Sequence, residues 1–218
     1  MGKRIICFME YVICMLAGYL IGGINPAYLF AKLKVFDIRK KGSGNAGASN
    51  AALTMGKKWG IISGALDILK AVLCFKLAEL AFREKVFIGI VAGVSCIFGH
   101  IFPVYMKFRG GKGLACLGGT VLAYSWKLFL ILLAVEIVIV LVSDYICFVS
   151  ISAPFLFSAA FGILEQNILG ALLLLLPAIV MLYKHIPNLK RIREGKEVHF
   201  SFLWKGKKEL DRVQEGDS

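Results

Sequence analysis

The sequence has few charged residues, which make up 18% of its 218 positions. A soluble domain normally carries about 25% charged residues, because polar groups have to cover its surface. The hydrophobic fraction of this chain is 58%. These proportions exclude an ordinary water-soluble domain and indicate a protein whose surface faces lipid.

Paired cysteines are also missing. The six cysteines form no CxxC pair, and no histidine or carboxylate stands at ligand spacing from them. They are scattered singly through apolar segments, at Cys7, Cys14, Cys74, Cys96, Cys116 and Cys147. We interpret them as reduced packing residues, and we predict no disulfide framework, no metal site and no cofactor.

Long apolar runs, in contrast, are abundant. They lie at 5–31, 59–82, 86–106 and, several times over, 114–183. An α-helix needs about 20 apolar residues to cross a hydrocarbon core of ~30 Å. The sequence therefore predicts an all-α, polytopic membrane protein with five to seven transmembrane helices. We expect a single domain over 1–218, with a polar cytoplasmic tail over 190–218.

The N-terminus begins like a signal peptide, since Lys3 and Arg4 precede an apolar stretch. Glu10 interrupts that stretch, and no small-x-small cleavage site ends it before Gly18. We therefore expect the segment to stay in place as the first span.

Lysine and arginine are concentrated in three segments, at 32–58, 107–112 and beyond Tyr183. Because cytoplasmic loops carry an excess of these residues, all three segments are predicted to be cytoplasmic, with the N-terminus and 83–85 outside. The formal net charge is +12. Since the basic residues lie beside apolar spans, anionic lipid and anionic substrates fit as partners better than nucleic acid does.

The first basic segment contains a glycine-rich stretch, GSGNAGASN at 42–50. It matches GxGxxG, but a membrane helix precedes it where the dinucleotide motif needs a strand, and Ala48 stands where a P-loop needs lysine. Successive backbone N–H groups in such a stretch point into one concavity that binds anions. The predicted anion cradle contains Gly42, Ser43, Gly44, Asn45, Gly47, Ser49 and Asn50. The alternative is a flexible connector with helix caps.

The second basic segment ends in Arg109-Gly-Gly-Lys112-Gly. Its glycines would let the backbone and the Lys112 ammonium both approach a phosphate. The alternative is a solvated turn with snorkelling side chains. His100, at the preceding helix end, is interpreted as a hydrogen-bonded structural residue.

Two opposite charges, Asp67 and Lys70, lie inside an apolar span. Each would cost roughly 2.5 to 3.5 kcal/mol near the bilayer centre if it were unpaired. We predict a structural ion pair, which either only locks helix packing or also holds the site. Glu136 is a further intramembrane carboxylate, with no partner evident from the sequence.

The third basic segment is KHIPNLKRIREGKE at 184–197. A basic segment beside a membrane span usually binds anionic lipid. His185 and Asn188, three residues apart where the last span ends, are added to the candidate site.

Four segments resemble, in this order, the motifs of the bacterial acyl-phosphate:glycerol-3-phosphate acyltransferase family: GSGNAGASN, LDILKAV, GHIFPVYMKFRGGKGLA and KHIPNLKRIREGKE. The resemblance extends over 18–197. It implies transfer of a fatty acyl group from acyl phosphate to the 1-hydroxyl of glycerol 3-phosphate, giving lysophosphatidic acid and phosphate, in phospholipid synthesis at the bacterial plasma membrane. It also implies contact with the enzyme that makes acyl phosphate.

The resemblance further implies residue roles. The catalytic residues are expected to be Ser49, Asn50, His185 and Asn188. The phosphate-binding and substrate-binding residues are expected to be Gly42, Ser43, Gly44, Asn45, Gly47 and Lys112, to which we add the neighbouring Arg109. The base is either His185 or a phosphate oxygen of the substrate.

One departure from the family pattern matters for function. Leu53 stands where the family usually has an arginine, so a bidentate phosphate contact that the resemblance implies is lost. Either Lys57 or Lys58 compensates, or the chain is a divergent paralogue with weaker activity or another acceptor. A different interpretation is a membrane protein that binds or transports anions or lipids without catalysis.

Overall fold

Helices account for all the regular secondary structure in the residues that the structure describes. This computed structural model describes residues 2–83 and 87–201, with side chains from Phe8 onward. The α-helices in those ranges are α1 (Gly2–Gly23), α2 (Pro26–Leu33), α3 (Ala48–Met55), α4 (Lys57–Ala81), α5 (Ile88–Ile101), α6 (Leu114–Tyr124), α7 (Trp126–Ser143), α8 (Ile146–Leu164) and α9 (Ile168–Arg193). Two short 3-10 helices, Ile38–Lys40 and Val104–Met106, lie in the connectors. The predicted all-α fold is confirmed.

Five segments of the described chain are long and apolar enough to cross a membrane. They are Phe8–Leu33, Ile88–Met106, Trp126–Ser143, Ile146–Leu164 and Ile168–Arg193. Five is the lower end of the predicted range. Helix α4 has 25 residues, which is long enough to cross, but it carries several charges within its length and so is not among these five apolar segments. The predicted orientation, with 83–85 outside, requires α4 to cross as well. Helix α6 has 11 residues and rises only ~16 Å, about half of a hydrocarbon core.

The first apolar run is divided into two helices. Helix α1 ends at Gly23, and Asn25 caps α2 by accepting a hydrogen bond of 2.8 Å from the backbone N–H of Tyr28. Pro26 opens α2, where a missing N–H costs little. The uninterrupted helix expected from hydrophobicity alone is therefore broken at residues 24–25.

Residues 1–129 form one compact unit, in which α4 packs against α1, α3, α5 and α6. Glycines bring α1 and α5 close together. A Cβ atom on Gly22 would overlap the backbone of Cys96, and one on Gly99 would overlap the backbone of Tyr19. This close approach sets the end of α1 beside the end of α5, which leads into the second basic segment.

The described residues from 130 onward form a second compact unit, in which α8 and α9 pack along each other. Helix α7 has large exposed apolar side chains, such as Leu141 and Val142, as expected for a surface that contacts lipid. The part of the polar tail beyond residue 201, and residues 84–86 of the predicted external turn, lie outside the described residues. The single domain expected from the sequence stays a prediction.

Candidate active site

The first glycine-rich loop is organised around the side chain of Asn50, which is fully buried at the start of α3. Its Nδ2 donates hydrogen bonds to the carbonyl oxygens of Ile38, Lys41 and Asn45, at 3.0, 3.0 and 2.9 Å. Its Oδ1 accepts one of 2.9 Å from the backbone N–H of Ser43. The Asn50 amide is thus hydrogen-bonded to the backbone of the loop, and its place among the catalytic residues stays a prediction.

Two glycines of this loop have backbone conformations that favour glycine. Gly42 has a φ of +57° and Gly44 a φ of +70°, both in the left-handed region. A Cβ on Gly42 would also overlap the Asn50 side-chain oxygen. Ser43, Gly44 and Ser49 are exposed. The loop is thus held in one shape with its tip exposed.

Arg39 fastens the first loop to the second connector. Its guanidinium forms a bidentate pair with the Asp37 carboxylate, with the shortest contact at 2.7 Å. Its Nη1 donates a hydrogen bond of 2.7 Å to the Met106 carbonyl oxygen. These hydrogen bonds lower the pKa of Asp37 to about 2. Arg39 also lies over the Tyr28 ring, 5.0 Å from its centroid. Its charge is used within the protein to join two segments 67 residues apart.

The second connector folds back onto the end of α5. The backbone N–H groups of Gly110 and Gly111 donate to the carbonyl oxygens of Ile101 and His100, each at 3.1 Å. A Cβ on Gly111 would overlap the His100 ring. Lys112 follows directly and is half-buried, and the neighbouring Arg109 is exposed. The GGKG sequence is thus a turn shaped by the helix that precedes it.

Both loops are also attached to the break between α1 and α2. The Asn25 Nδ2 donates a buried hydrogen bond of 2.8 Å to the carbonyl oxygen of Ala46, in the first loop. The Asn25 backbone N–H donates to the Tyr105 hydroxyl, in the second connector, at 3.2 Å. The structure therefore brings the two predicted anion-binding segments to one end of the first unit.

Asp67 and Lys70 lie beneath these loops and have a third partner. The Lys70 Nζ is 2.7 Å from Asp67 Oδ1, and His100 Nδ1 is 3.2 Å from the same oxygen. All three side chains are buried. Sequence reasoning missed His100 in this cluster, because the packing register that brings α4 and α5 together is not visible in the spacing of residues.

The same cluster contains the potential metal-ligand atoms of Asp67, His100 and Cys116, which lie within 4.8 Å of one another. The Lys70 ammonium, however, is in contact with both Asp67 and His100 Nδ1. A cation is therefore already provided by the chain at this point. Cys116, like Cys14, Cys74 and Cys96, is buried and forms no disulfide.

In the second unit, His185 and Asn188 are both buried near the end of α9. His185 Nδ1 lies 2.7 Å from the Met181 carbonyl oxygen. Since a carbonyl oxygen only accepts, Nδ1 carries a proton, and in the neutral ring the lone pair is on Nε2. This is the tautomer that a general base at Nε2 requires.

Glu197 is a residue of this region that sequence reasoning left out of the candidate site. A turn at Gly195 brings it back onto α9, where its Oε1 accepts from Asn188 Nδ2 at 2.6 Å and its Oε2 from Arg191 Nε at 2.7 Å. The signal was present, because Glu197 closes the third motif. Glu136 also has a partner, Ser152, whose hydroxyl lies 2.7 Å from the carboxylate.

Comparison with known proteins gives a consistent result. A family model described as glycerol-3-phosphate acyltransferase matches residues 12–195. The glycerol-3-phosphate acyltransferase of Clostridioides difficile (strain 630) is 34% identical over 193 residues, covering 86% of this chain and 94% of that protein. That of Bacillus subtilis (strain 168) is 34% identical over 197 residues, covering 89% of this chain and 100% of that protein.

Solved structures show the same likeness. The crystal structure of PlsY (YgiH), an integral membrane glycerol 3-phosphate acyltransferase, in its glycerol 3-phosphate form has a TM-score of 0.81 and 30% sequence identity, covering 88% of this chain and 96% of that one. The lysophosphatidic acid form of PlsY has a TM-score of 0.78 over the same shares of both chains.

Proposed function

The chain belongs to the glycerol-3-phosphate acyltransferase family, and we propose that it transfers a fatty acyl group from acyl phosphate to the 1-hydroxyl of glycerol 3-phosphate. The products are lysophosphatidic acid and inorganic phosphate. A place in phospholipid biosynthesis follows from the family. The glycerol 3-phosphate and lysophosphatidic acid forms of PlsY support this acceptor and this product.

The choice of acyl phosphate as donor rests on one observation: two basic, glycine-rich loops are tied together at one end of the first unit. Arg39 joins them directly, and Asn25 contacts both. Donor and acceptor would each carry a phosphate, so two anion-binding segments held side by side match the two substrates. The His-x-x-x-x-Asp pair that acyltransferases of the thioester type carry is absent from the sequence.

The reaction needs little from the protein beyond placement and charge stabilisation. The 1-hydroxyl oxygen attacks the acyl carbonyl carbon, and the bond from that carbon to the phosphate oxygen breaks. The electron pair leaves with the phosphate, which is a good leaving group. Lys112 and Arg109 stabilise the charge on both phosphates. Orientation supplies much of the remaining acceleration.

The hydroxyl proton passes to His185 Nε2 or to a phosphate oxygen of the substrate. The hydrogen-bonding distance of 2.7 Å between His185 Nδ1 and the Met181 carbonyl supports the first route, because it sets the tautomer. Glu197 orients Asn188. Ser49, at the exposed face of the first loop, is a candidate contact to substrate, while Asn50 shapes the loop.

We assign the protein to the bacterial plasma membrane, with its motif loops and C-terminus in the cytoplasm. The distribution of lysine and arginine along the chain supports this orientation. Glycerol 3-phosphate, which is charged and soluble, would then reach the loops from the cytoplasm.

The test is product formation by the purified protein in lipid nanodiscs. Palmitoyl phosphate is supplied with and without glycerol 3-phosphate, and phosphate and lysophosphatidic acid are measured in parallel. Acceptor-dependent phosphate release, matched mole for mole by lysophosphatidic acid, is expected. Turnover with palmitoyl-coenzyme A in place of palmitoyl phosphate would overturn the donor assignment. If the folded protein turns over neither donor, the remaining alternatives are a reaction with another acceptor, or binding without catalysis.

A further inference from the structure

The buried Lys70 ammonium is bound to the broken end of α1. Its Nζ donates to the carbonyl oxygens of Gly22 and Ile24, at 2.8 and 2.5 Å, in addition to its contact with Asp67. In a continuous helix the Gly22 carbonyl would accept from the backbone N–H four residues on. That residue is Pro26, which has no N–H. Lys70 thus provides the donor that the backbone lacks at the break.

The break fixed by Lys70 leads directly to the first glycine-rich loop. Asn25 follows Ile24 in the chain, and its buried amide holds the Ala46 carbonyl at 2.8 Å. Ala46 stands between Asn45 and Gly47, inside the predicted anion cradle. The position of the cradle therefore depends on where Lys70 holds residues 22–24.

The same ion pair also reaches the second loop. His100 Nδ1 faces both Lys70 and Asp67, at 3.2 Å from each. The ring fills the space in which a Cβ on Gly111 would lie, and the His100 carbonyl accepts the Gly111 N–H at 3.1 Å. Gly111 precedes Lys112. The orientation of the His100 ring, set by the pair, thus supports the turn that carries Lys112.

We propose that Asp67 and Lys70 are positioning residues, which together set the placement of both glycine-rich loops relative to each other. The kinetic part of this inference rests on the proposed function. A pair that only locked helix packing could be replaced by apolar residues of similar size, which is often neutral or stabilising. Apolar side chains cannot donate to the Gly22 and Ile24 carbonyls or hold the His100 ring. Replacing the pair by apolar residues should therefore lower activity while the protein stays folded.

The test compares two double variants of α4. Asp67→Leu/Lys70→Met removes the buried pair, and Lys76→Met/Glu79→Gln removes an exposed pair of the same i,i+3 spacing, whose charged atoms are 2.9 Å apart. Unfolding in detergent, glycerol 3-phosphate binding without donor, and the kcat and KM for both substrates are measured for each. A misplacement of about 1 Å can cost on the order of 100-fold in rate.

For the buried pair we expect a retained fold, weaker glycerol 3-phosphate binding and a kcat/KM lower by about 100-fold. The exposed pair should leave all three unchanged. Wild-type binding and turnover in the folded Asp67→Leu/Lys70→Met variant would overturn the inference. If the wild-type protein binds glycerol 3-phosphate but never transfers an acyl group, only the proposed function is overturned. Binding by the wild-type protein and the variants then still measures whether the loops are correctly placed. A wild-type protein that binds none would sink both.

If the buried double variant does not fold, Asn25→Ser decides. Serine keeps an N-cap oxygen for Tyr28 but loses the amide that holds Ala46. We expect a folded protein with reduced glycerol 3-phosphate binding. Unchanged binding and turnover in Asn25→Ser would show that the connection from Lys70 to the first loop has no functional effect, which also overturns the inference.

Discussion

At the scale of single residues, Lys112 is the half-buried charge of the second loop to which the proposed mechanism gives a phosphate contact. Lys112→Ala removes one of the groups proposed to stabilise the departing phosphate, and loss of such a group typically lowers kcat by about 100-fold or more. We expect turnover to fall much further than the amount of folded protein. The matched control is Lys107→Gln, which removes an exposed charge from the same connector. Equal activity in both variants would take Lys112 out of the site.

Leu53 is the residue whose replacement tests the acceptor. It is half-buried on α3, three residues after Asn50, at the position where the family usually has arginine. Hydrogen bonds to charged groups contribute about 1.5 to 3 kcal/mol. Leu53→Arg should therefore lower the KM for glycerol 3-phosphate by about ten-fold or more. Leu53→Gln, polar but uncharged, is the control. A KM that does not change with arginine would favour a different acceptor or a relocated contact.

At the scale of the helical elements, the turn after α9 depends on Glu197. Glu197→Gln removes the charge that Arg191 contacts and one of the two acceptor oxygens. A lost hydrogen bond to a charged group at a buried site costs about 1 to 3 kcal/mol. We expect lower thermal stability together with lower kcat, because Asn188 loses its orientation. Glu194→Gln, in an exposed pair 3.9 Å from Lys190, should change neither. Wild-type activity in Glu197→Gln would show that the contacts of Glu197 with Asn188 and Arg191 are not needed for catalysis.

The elements also show what a sequence can predict. Apolar runs of spanning length predict helices because only helices satisfy their own backbone groups in lipid. The glycine spacing of the first loop predicts a turn-rich, anion-binding segment, because glycine allows the backbone conformations that such a segment needs. The contacts that shape it were not predictable: Arg39 with Met106, and Lys70 with His100, join residues 67 and 30 positions apart. Such pairs depend on helix packing registers, which local spacing does not contain. Asn25 and Pro26 are local signs of the break that Lys70 caps.

At the scale of the whole molecule, the remaining question is which side of the membrane the loops face. The positive-inside rule predicts that both connectors of the first unit are cytoplasmic, while 83–85 is outside. Single cysteines at the exposed positions Val35, Lys107 and Arg83 report on this. The native Cys14, Cys74, Cys96, Cys116 and Cys147 are buried, and labelling of the wild-type chain gives the background of all six native cysteines.

We expect a membrane-impermeant maleimide added to intact cells to label Arg83→Cys alone. Permeabilisation should then expose Val35→Cys and Lys107→Cys as well. This order matters for function, because a soluble acceptor made in the cytoplasm reaches the loops without crossing the bilayer only in that orientation. Labelling of Val35→Cys and Lys107→Cys in intact cells would place the loops outside. The charge distribution would then have misassigned the topology, and a cytoplasmic supply of glycerol 3-phosphate would no longer fit.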